Sequence, residues 1–492
     1  MTLLIVPILL PILGGLATGL IHFSSRRARS IFVECIALAN SAALFYLVLR
    51  GQGLSLSALR LTENLTITLR VDGLTRVFGA LIAFLWPLAT LYAFEYMEAE
   101  GRENTFFAYY LMSYGITAGV ALSGNLFTLY AFYELLTLVT LPLVLHKLDT
   151  TSIHASRTYL YYSISGAALA FIGMIFVLTY GTNPTTEFVY GGMLDMARVA
   201  DKKDLLLAVF MMSFVGFGVK AALFPVHTWL PTVSVAPTPV TALLHAVAVV
   251  KAGAFAIIRI IYYTFGTDFL YGTWAQYAAM GLAMFTIVFG SAMAVKEQHF
   301  KRRLAYSTVS NLSYIIFGAT LMSPAGLTGS LTHMLFHGVM KITLFFCAGA
   351  VLVKTEREYV QDLRGFSKIM PFTMGVFTVA AAALVGVPPL MGFVSKWMLA
   401  SAAVSDGRGI AALGAGALII SAILTAIYLF TIVVPAYFMP LGESSAKLAG
   451  ENRDPGWRMK LPLVILTAAI VVGGLCASPL IRFLGNVAAG LY

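Results

Sequence analysis

The chain has 492 residues, of which 59% are hydrophobic and only 11% are charged. Soluble domains usually carry about a quarter charged residues, so this composition excludes an ordinary soluble protein and indicates a polytopic membrane protein. The basic pI near 9.4 does not indicate nucleic-acid binding, because the basic residues fall in short loops between apolar segments. Cys35, Cys347 and Cys476 lie in apolar segments without metal-binding spacing, so neither a metal site nor a disulfide framework is expected.

A membrane span needs about 20 apolar residues, and the apolar segments predict about fourteen transmembrane helices. Their expected limits are 3–22, 30–50, 72–94, 106–123, 125–146, 156–180, 204–224, 239–264, 271–295, 303–322, 327–353, 370–403, 411–439 and 461–485. The first segment has no basic residues before its apolar core, so we interpret it as a span and not as a cleaved signal. The longest polar loops are expected near 51–71, 181–203, 354–369 and 441–460, and none is long enough for a separate soluble domain.

Lysine and arginine are unevenly distributed between alternate loops. When both termini are placed outside, the inner loops carry about twice as many basic residues as the outer loops, which is the usual bias. The inner set includes Arg26, Arg27, Arg29 and Lys447. The sequence therefore predicts an even number of spans with both termini on the outer side.

Eight ionisable residues fall inside the predicted spans: Lys220, Lys251, Lys341, Lys396, Glu134, His245, His333 and His337. Charge at mid-membrane is costly, and a lysine stem reaches only part of the ~15 Å half-thickness. One glutamate cannot neutralise four ammonium groups, so several lysines are expected to be neutral or hydrated and able to load and release protons. The alternative is that these residues form structural ion pairs or polar contacts between helices.

One helix carries three of these residues in a regular pattern. The segment LTHMLFHGVMKITLFF places His333, His337 and Lys341 at i, i+4 and i+8, on one drifting helix face. They form a possible ladder about 12 Å long, suited to proton hopping through water. The two histidines also have metal-ligand spacing, but no acid or cysteine in that helix completes a site, so no metal is expected.

Prolines interrupt two of the predicted helices beside a lysine. Pro225 follows Lys220 in GVKAALFPVHTWLP, and Pro388 and Pro389 precede Lys396 in LVGVPPLMGFVSKW. Proline removes an intrahelical hydrogen bond, and in lipid the freed carbonyls must be satisfied by protein or water. Paired discontinuous helices in two halves of a transporter indicate ion sites and inverted repeats. Simple packing kinks are the alternative interpretation.

The run KAALFPVHTWLPTVSVAPTPVTALLHAVAVVKAGAFAIIR resembles the signature of the antiporter-like subunits of respiratory complex I, Mrp cation/proton antiporters and membrane-bound hydrogenases. Further matching stretches are NLFTLYAFYELLTL, KRRLAYSTVSNLSY, LTHMLFHGVMKITLFFCAG, DLRGFSKIMP and VPPLMGFVSKW. The resemblance runs from about Asp72 to Trp397, and its wording is closest to the D-type Mrp subunit. Lys396 stands where one complex I subunit type has glutamate. The end of the chain soon after its last predicted helix argues against the long subunit with a lateral amphipathic helix.

The resemblance implies an all-α polytopic membrane protein with two inverted five-helix repeats, each with a broken helix. Within a single integral membrane domain, the repeats are expected at 106–264 and 271–439. Three helices in 1–105 precede them, and a loop and a last helix in 440–492 follow.

The resemblance also implies a role for each residue of the ionisable set. Glu134 and Lys220 would form the ion pair of the first half-channel, and Lys251 would be the central relay. His245 would lie on the same path. His333, His337 and Lys341 would continue it, and Lys396 would be the terminal lysine of the second half-channel.

The implied function is ion translocation, of protons and in some complexes in exchange for Na⁺, by a non-redox subunit of a larger membrane complex. No catalytic residue, cofactor or metal of its own is expected. Expected partners are other membrane subunits, including antiporter-like paralogues, in a bacterial or archaeal cytoplasmic membrane. An Mrp-type antiporter and a redox-driven pump stay open, as do two other classes: a structural membrane scaffold and a stand-alone permease.

Overall fold

The computed structural model describes residues 2–182, 185–442, 445, 448 and 450–491; Lys447, used in the topology prediction, lies outside them. The first half of the described chain contains helices α1 (Val6–Leu20), α2 (Arg26–Arg50), α3 (Gly73–Met97), α4 (Glu103–Ala121), α5 (Leu126–Val144), α6 (Thr150–Tyr180), α7 (Met196–Val199), α8 (Lys203–Lys220), α9 (Trp229–Thr232), α10 (Thr238–Ala246) and α11 (Val249–Arg259). A π-helical segment, Ile260–Phe265, continues α11.

The second half of the described chain is also helical. It contains α12 (Thr267–Leu270), α13 (Trp274–Lys296), α14 (Phe300–Thr320), α15 (Pro324–Thr355), α16 (Pro371–Val385), α17 (Met391–Ser405), α18 (Gly409–Phe438), α19 (Trp457–Leu475) and α20 (Ser478–Ala488). Among the described residues, 9 helical segments are long and apolar enough to cross a membrane, and α1 and α16 are shorter apolar helices. The chain is thus a mostly helical, membrane-embedded protein.

Side-chain caps explain where several of these helices begin. Asn125 Oδ1 accepts a hydrogen bond from Thr128 N at 2.8 Å at the start of α5, and Ser323 Oγ accepts one from Gly326 N at 3.1 Å before α15. Such caps satisfy backbone N–H groups that have no partner within the first helical turn. At the other end of a helix, Gly386 follows α16 with φ 102, a conformation that glycine adopts without strain.

The prediction of an unstructured polar loop at 51–71 is wrong. This segment contains an antiparallel hairpin of β1 (Ser55–Arg60) and β2 (Thr66–Arg70), with Ser55 opposite Arg70 and Arg60 opposite Thr66. The sequence of β2, TITLR, alternates β-branched and aliphatic residues, which favour a pleated surface. The signal for this strand was therefore present in the sequence.

The single helix expected at 461–485 is also wrong, since two helices occupy this part of the chain. Helix α19 ends at Leu475, and α20 begins at Ser478, directly before Pro479. Proline fits the first turn of a new helix but cannot continue an existing one. Helix α20 buries Leu484 and Val487 and leaves Arg482 exposed.

Two helical segments form the centre of the molecule. The segment Thr238–Phe265, which comprises α10, α11 and the π-helical turn, has a most apolar 18-residue window that is 100% buried inside the protein. The corresponding window of α15 is 89% buried, and α15 contacts α3, α10, α14, α16, α17, α19 and α20. The central residues of both segments therefore face other helices and not lipid.

Candidate ion-translocation site

The expected ion pair of the first half is present. Lys220 is the last residue of α8 and is 1% exposed, and its Nζ lies 3.6 Å from Oε1 of Glu134 on α5, whose side chain is 25% exposed. The same ammonium donates a hydrogen bond to the Tyr133 carbonyl oxygen and lies 3.5 Å from the centroid of the Tyr133 ring. Lys220 is thus stabilised by a carboxylate, a carbonyl and an aromatic face together.

Helix α8 ends four residues earlier than predicted, and side chains satisfy the carbonyls that this break frees. The Tyr133 hydroxyl donates to the Phe217 carbonyl at 3.1 Å, and Trp229 Nε1 donates to the Val219 carbonyl at 2.7 Å. Backbone groups at membrane depth require such internal partners. The break beside Pro225 is therefore a built structural feature that holds Lys220 at its edge.

Lys251 follows a second interruption, which was not predicted. Helix α10 ends at Ala246 and α11 begins at Val249, so Lys251 stands in the first turn of α11. A Cβ on Gly253 would overlap the backbone of Lys220 and Ala221, so α11 packs directly against the end of α8. The Lys251 Nζ lies 2.5 Å from Nδ1 of His337 on α15, which joins the two halves of the chain.

The two histidines of α15 connect Lys251 with the second half. The rings of His333 and His337 stack with centroids 5.7 Å apart, and Tyr314 stacks on His333 at 5.1 Å. His333 Nδ1 lies 2.9 Å from the hydroxyl of Ser395, the residue before Lys396 on α17. The contacts therefore lead from Lys251 through both histidines to the end of α17 that carries Lys396.

Lys396 caps the second helix break. Its Nζ donates to the carbonyls of Leu384 and Val385, the last residues of α16, at 2.6 and 3.1 Å. A cation at the C-terminus of a helix interacts favourably with the helix dipole. The predicted break at Pro388 and Pro389 thus lies between α16 and α17, with the lysine of one half-helix bound to the freed carbonyls of the other.

Lys341 and His245 lie beside this line of contacts. The ammonium of Lys341 donates to the Leu304 carbonyl at 2.9 Å and to the Ser307 hydroxyl, both on α14. The ring of His245 lies 4.8 Å from that of Phe345, and its nitrogens have no hydrogen-bond partner in the described part of the chain. The predicted ladder on α15 therefore divides, with the histidines facing α17 and Lys341 facing α14.

Two buried charged groups were missed from the sequence. Lys301 is buried and donates to the Ala236 carbonyl at 2.9 Å, although its position in KRR suggested an exposed inner loop. Arg259 forms a bidentate pair with Asp72, at 2.6 and 2.8 Å, although Arg259 was assigned to an outer loop. Only the alternation of apolar residues around each position could have signalled their burial. Within the described ranges, no group of three or more His, Cys, Asp or Glu residues could hold a metal ion.

We refer to Glu134, Lys220, Lys251, His245, His333, His337, Lys341 and Lys396 as the buried axis. The family described as NADH:quinone oxidoreductase/Mrp antiporter, TM, matches residues 123–435, which contain the whole buried axis. The chain belongs to this family.

Relatives in this family come from three kinds of complex. NADH-quinone oxidoreductase subunit N of Desulforudis audaxviator is 33% identical over 422 residues, covering 83% of this chain and 80% of that protein. A probable K(+)/H(+) antiporter component of Rhizobium meliloti is 31% identical and covers 96% of this chain, but 47% of that protein is covered. Hydrogenase-4 component B of Escherichia coli is 31% identical, covering 68% of this chain and 51% of that protein. The chain thus spans about half the length of these last two relatives.

Solved structures of the family share the fold. A chain of the Mrp complex from Dietzia sp. DQ12-45-1b superimposes with a TM-score of 0.84 at 22% identity, covering 100% of this chain and 98% of that one. A chain of respiratory complex I from Thermus thermophilus gives a TM-score of 0.81 at 22% identity, with coverage of 99% and 98%. At this identity the likeness shows the fold alone.

Proposed function

We propose that the chain is the proton-translocating membrane subunit of a multisubunit complex and that the buried axis is its path. The observation that carries this proposal is the line of contacts from Lys220 and Glu134, through α11 at Lys251, to His337, His333, Ser395 and Lys396. Each of these groups can bind or release a proton, or orient one. A purely structural set of ion pairs would need more carboxylates than Glu134 alone supplies.

The mechanism is electrostatic. When the Glu134–Lys220 pair opens, positive charge is less neutralised next to the first turn of α11, and Lys251 there binds its proton less tightly. His337 Nδ1, at 2.5 Å, is the acceptor for that proton. Transfer through His333 and the Ser395 hydroxyl then reaches Lys396, which the α16 carbonyls hold in place. A change at one end is coupled to the other through these contacts.

We also propose the finer architecture expected from the sequence. About fourteen crossings would arise if the half-helices at each break count as one span, since a span needs about 20 residues. Two inverted repeats, 106–264 and 271–439, each have a broken fourth helix, at α8 and at α16–α17. The segments 1–105 and 440–492 flank them, and both termini face outward. The matching positions of the breaks support this division.

Partners in this proposal are other membrane subunits, including antiporter-like paralogues, in a bacterial or archaeal cytoplasmic membrane. The names of the relatives include both cation/proton antiporter components and subunits of redox complexes. The translocated ion is the proton, and exchange for Na⁺ would distinguish an antiporter from a redox-driven pump. The described fold supports either energy source.

The test is transport by the assembled complex in inverted membrane vesicles. Glu134→Ala, Lys220→Ala and Lys251→Ala should each lower proton transport about tenfold or more, because general acid–base groups contribute at least this much. Lys368→Ala, at an exposed loop lysine, is the matched control. Copurification of the partner subunits establishes assembly of each variant. Full transport by all three variants would support a scaffold instead, and transport by the purified single chain would support a permease.

A further inference from the structure

A second group of buried polar side chains lies outside the buried axis, between α2, α3 and α4. This α2–α4 polar cluster comprises Glu34, Asn40, Ser41, Trp86, Tyr110 and Tyr114. Within the described chain, Glu34 Oε2, both polar atoms of the Asn40 side chain, Trp86 Nε1 and the Tyr110 hydroxyl are buried without a hydrogen-bond partner. Each such group costs about 1–3 kcal/mol when left unsatisfied. So many in one place require a polar ligand, and water has the right chemistry.

The members of the α2–α4 polar cluster are contiguous. The Ser41 hydroxyl lies 2.7 Å from the Tyr114 hydroxyl, and the Tyr114 ring stacks on Trp86 with centroids 4.6 Å apart. The ring of Tyr110 lies 5.8 Å from that of Trp86. Glu34 and Ser41 are two helical turns apart and share one face of α2, about 10 Å apart along the helix. The cluster therefore extends from Glu34 toward the middle of the membrane.

A cavity connects Glu34 with the surface. It has a volume of about 270 Å³ and lies between α2, α3 and α19, with Arg27, Ser30 and Glu34 on one wall and Arg458 on another. A water molecule takes a share of about 30 Å³ in the liquid, so the cavity has room for several. Glu34 is thus reachable from the side of the membrane on which α2 begins.

Other carboxylates on the elements around this cavity have basic partners. Glu103 on α4 pairs with Arg26 and Arg29, Glu95 on α3 pairs with Lys354, and Glu98 on α3 pairs with Arg458. Helix α1 contributes no titratable residue, and Arg27 of α2 stands at the mouth of the cavity. Among the ion pairs found in the described chain, none includes Glu34. Its carboxylate therefore differs from its neighbours in having no fixed counter-charge.

We propose that Glu34 and the α2–α4 polar cluster form a hydrated site that takes up and releases a proton independently of the buried axis. In the uptake step, a carboxylate oxygen of Glu34 forms an O–H bond as an O–H bond of a hydronium ion breaks, leaving water. The basic groups at the mouth, Arg27 and Arg458, repel alkali cations. Protons reach the carboxylate through water, so the ligand is the proton and not Na⁺.

Infrared difference spectroscopy of the purified complex tests the protonation of Glu34. Between acidic and alkaline pH, the wild-type complex should show a protonated-carboxyl C=O band that shifts in D₂O. Glu34→Gln should remove this band, and Glu63→Gln, at an exposed residue of the hairpin, should keep it. An unchanged spectrum in Glu34→Gln, or a band that does not shift in D₂O, would overturn the proposal. A band that responds to Na⁺ at constant pH would also overturn it.

Cysteine labelling tests the hydration of the cluster. In a Cys35→Ser, Cys476→Ser background, Asn40→Cys is compared with Leu38→Cys, a 52% exposed neighbour on the opposite side of α2. A charged thiol reagent should label Asn40→Cys about tenfold faster, because only a hydrated thiol ionises readily. Equally slow labelling of both would contradict a hydrated cluster. If Asn40→Cys fails to assemble, the infrared result decides. Neither readout uses transport, so this proposal and the proposed function can fail separately.

Discussion

Lys220 has three different partners, and they differ in how they respond when the ion pair opens. The Glu134 carboxylate is a side chain and can move, whereas the Tyr133 carbonyl belongs to the backbone of α5. The Tyr133 ring adds an aromatic face to the same ammonium. The lysine therefore keeps two neutral partners when the carboxylate leaves, which lowers the cost of the open state.

A double-mutant cycle on Glu134 and Lys220 measures this pair. Glu134→Gln should lower the free energy of unfolding by about 1–3 kcal/mol, because a buried ammonium loses its counter-charge while Glu134 itself is partly solvated. Lys220→Met in the Glu134→Gln background should recover part of that loss. Denaturant unfolding of the complex in detergent gives the coupling energy. The more exposed pair Glu95–Lys354 is the control, with an expected coupling below about 1 kcal/mol. Additive effects of Glu134→Gln and Lys220→Met would contradict a direct interaction.

The contact between Lys251 and His337 predicts a second effect. His337→Phe removes the acceptor for Lys251 and should lower proton transport by about 10²-fold, since His337 is the side chain that lies within hydrogen-bond distance of the Lys251 ammonium. Cys347→Ala, at a buried position of the same helix, should keep transport near the wild-type rate. Transport is followed by pH-sensitive dye quenching in vesicles. Equal rates for the two variants would show that the proton does not pass through His337.

At the scale of elements, the two helix breaks use different means to satisfy freed carbonyls. At the end of α8, side chains of α5 and α9 donate to Phe217 and Val219. At the end of α16, Lys396 from α17 donates to Leu384 and Val385. The first break thus leaves its lysine available for Glu134, whereas the second uses its lysine as the cap. Protonation of Lys396 and the position of α17 are therefore coupled.

Two glycines set the packing of these breaks and provide a test. Cβ atoms at Gly253 and Gly392 would overlap backbone atoms of Ala221 and Ala383, so Gly253→Ala and Gly392→Ala should each destabilise the protein by about 1–3 kcal/mol. Thermal unfolding in detergent measures the loss. Gly281→Ala and Gly375→Ala have open space at the same position and should be neutral or slightly stabilising. Equal stability of all four variants would refute the close helix approach.

The prolines made two breaks predictable, and the third shows the limit of sequence reasoning. Pro225 and the pair Pro388 and Pro389 interrupt apolar segments, and the structure places helix ends next to both. Between Ala246 and Val249 there is neither proline nor glycine, so local propensity gives no signal. The backbone there opens because α10 packs against α15 while α11 packs against α8 and α14. Tertiary contacts thus decide this break.

At the scale of the whole molecule, the pair of Asp72 and Arg259 links the N-terminal helices to α11. Arg259 is fully buried, and the rings of Phe188, Phe255 and Tyr263 lie within 5.1 Å of its guanidinium. The residues of this pair are 187 positions apart in the chain. The family resemblance located the buried axis by its motifs, but it could not reveal this link, because pairing between distant residues has no local pattern.

Asp72→Asn should therefore lower the free energy of unfolding by about 3–5 kcal/mol, because it leaves a buried guanidinium without its counter-charge. Asp406→Asn provides the control. Asp406 pairs with Arg408, two residues away, and that pair persists in part in the unfolded chain, so its loss should cost less. Denaturant unfolding monitored by tryptophan fluorescence compares the two variants. A smaller effect for Asp72→Asn than for Asp406→Asn would contradict the long-range role.

The complete burial at the core of the segment Thr238–Phe265 has a consequence for biosynthesis. Helices α14 and α15, which cover α11 and α10, follow later in the chain and leave the ribosome after this segment. Until residues 300–355 are made, the segment that carries Lys251 has no such cover. The nascent protein must therefore keep this lysine in lipid, or within the insertion machinery, before its histidine partner exists. Assembly of the proton path is thus completed only when the second half of the chain enters the membrane.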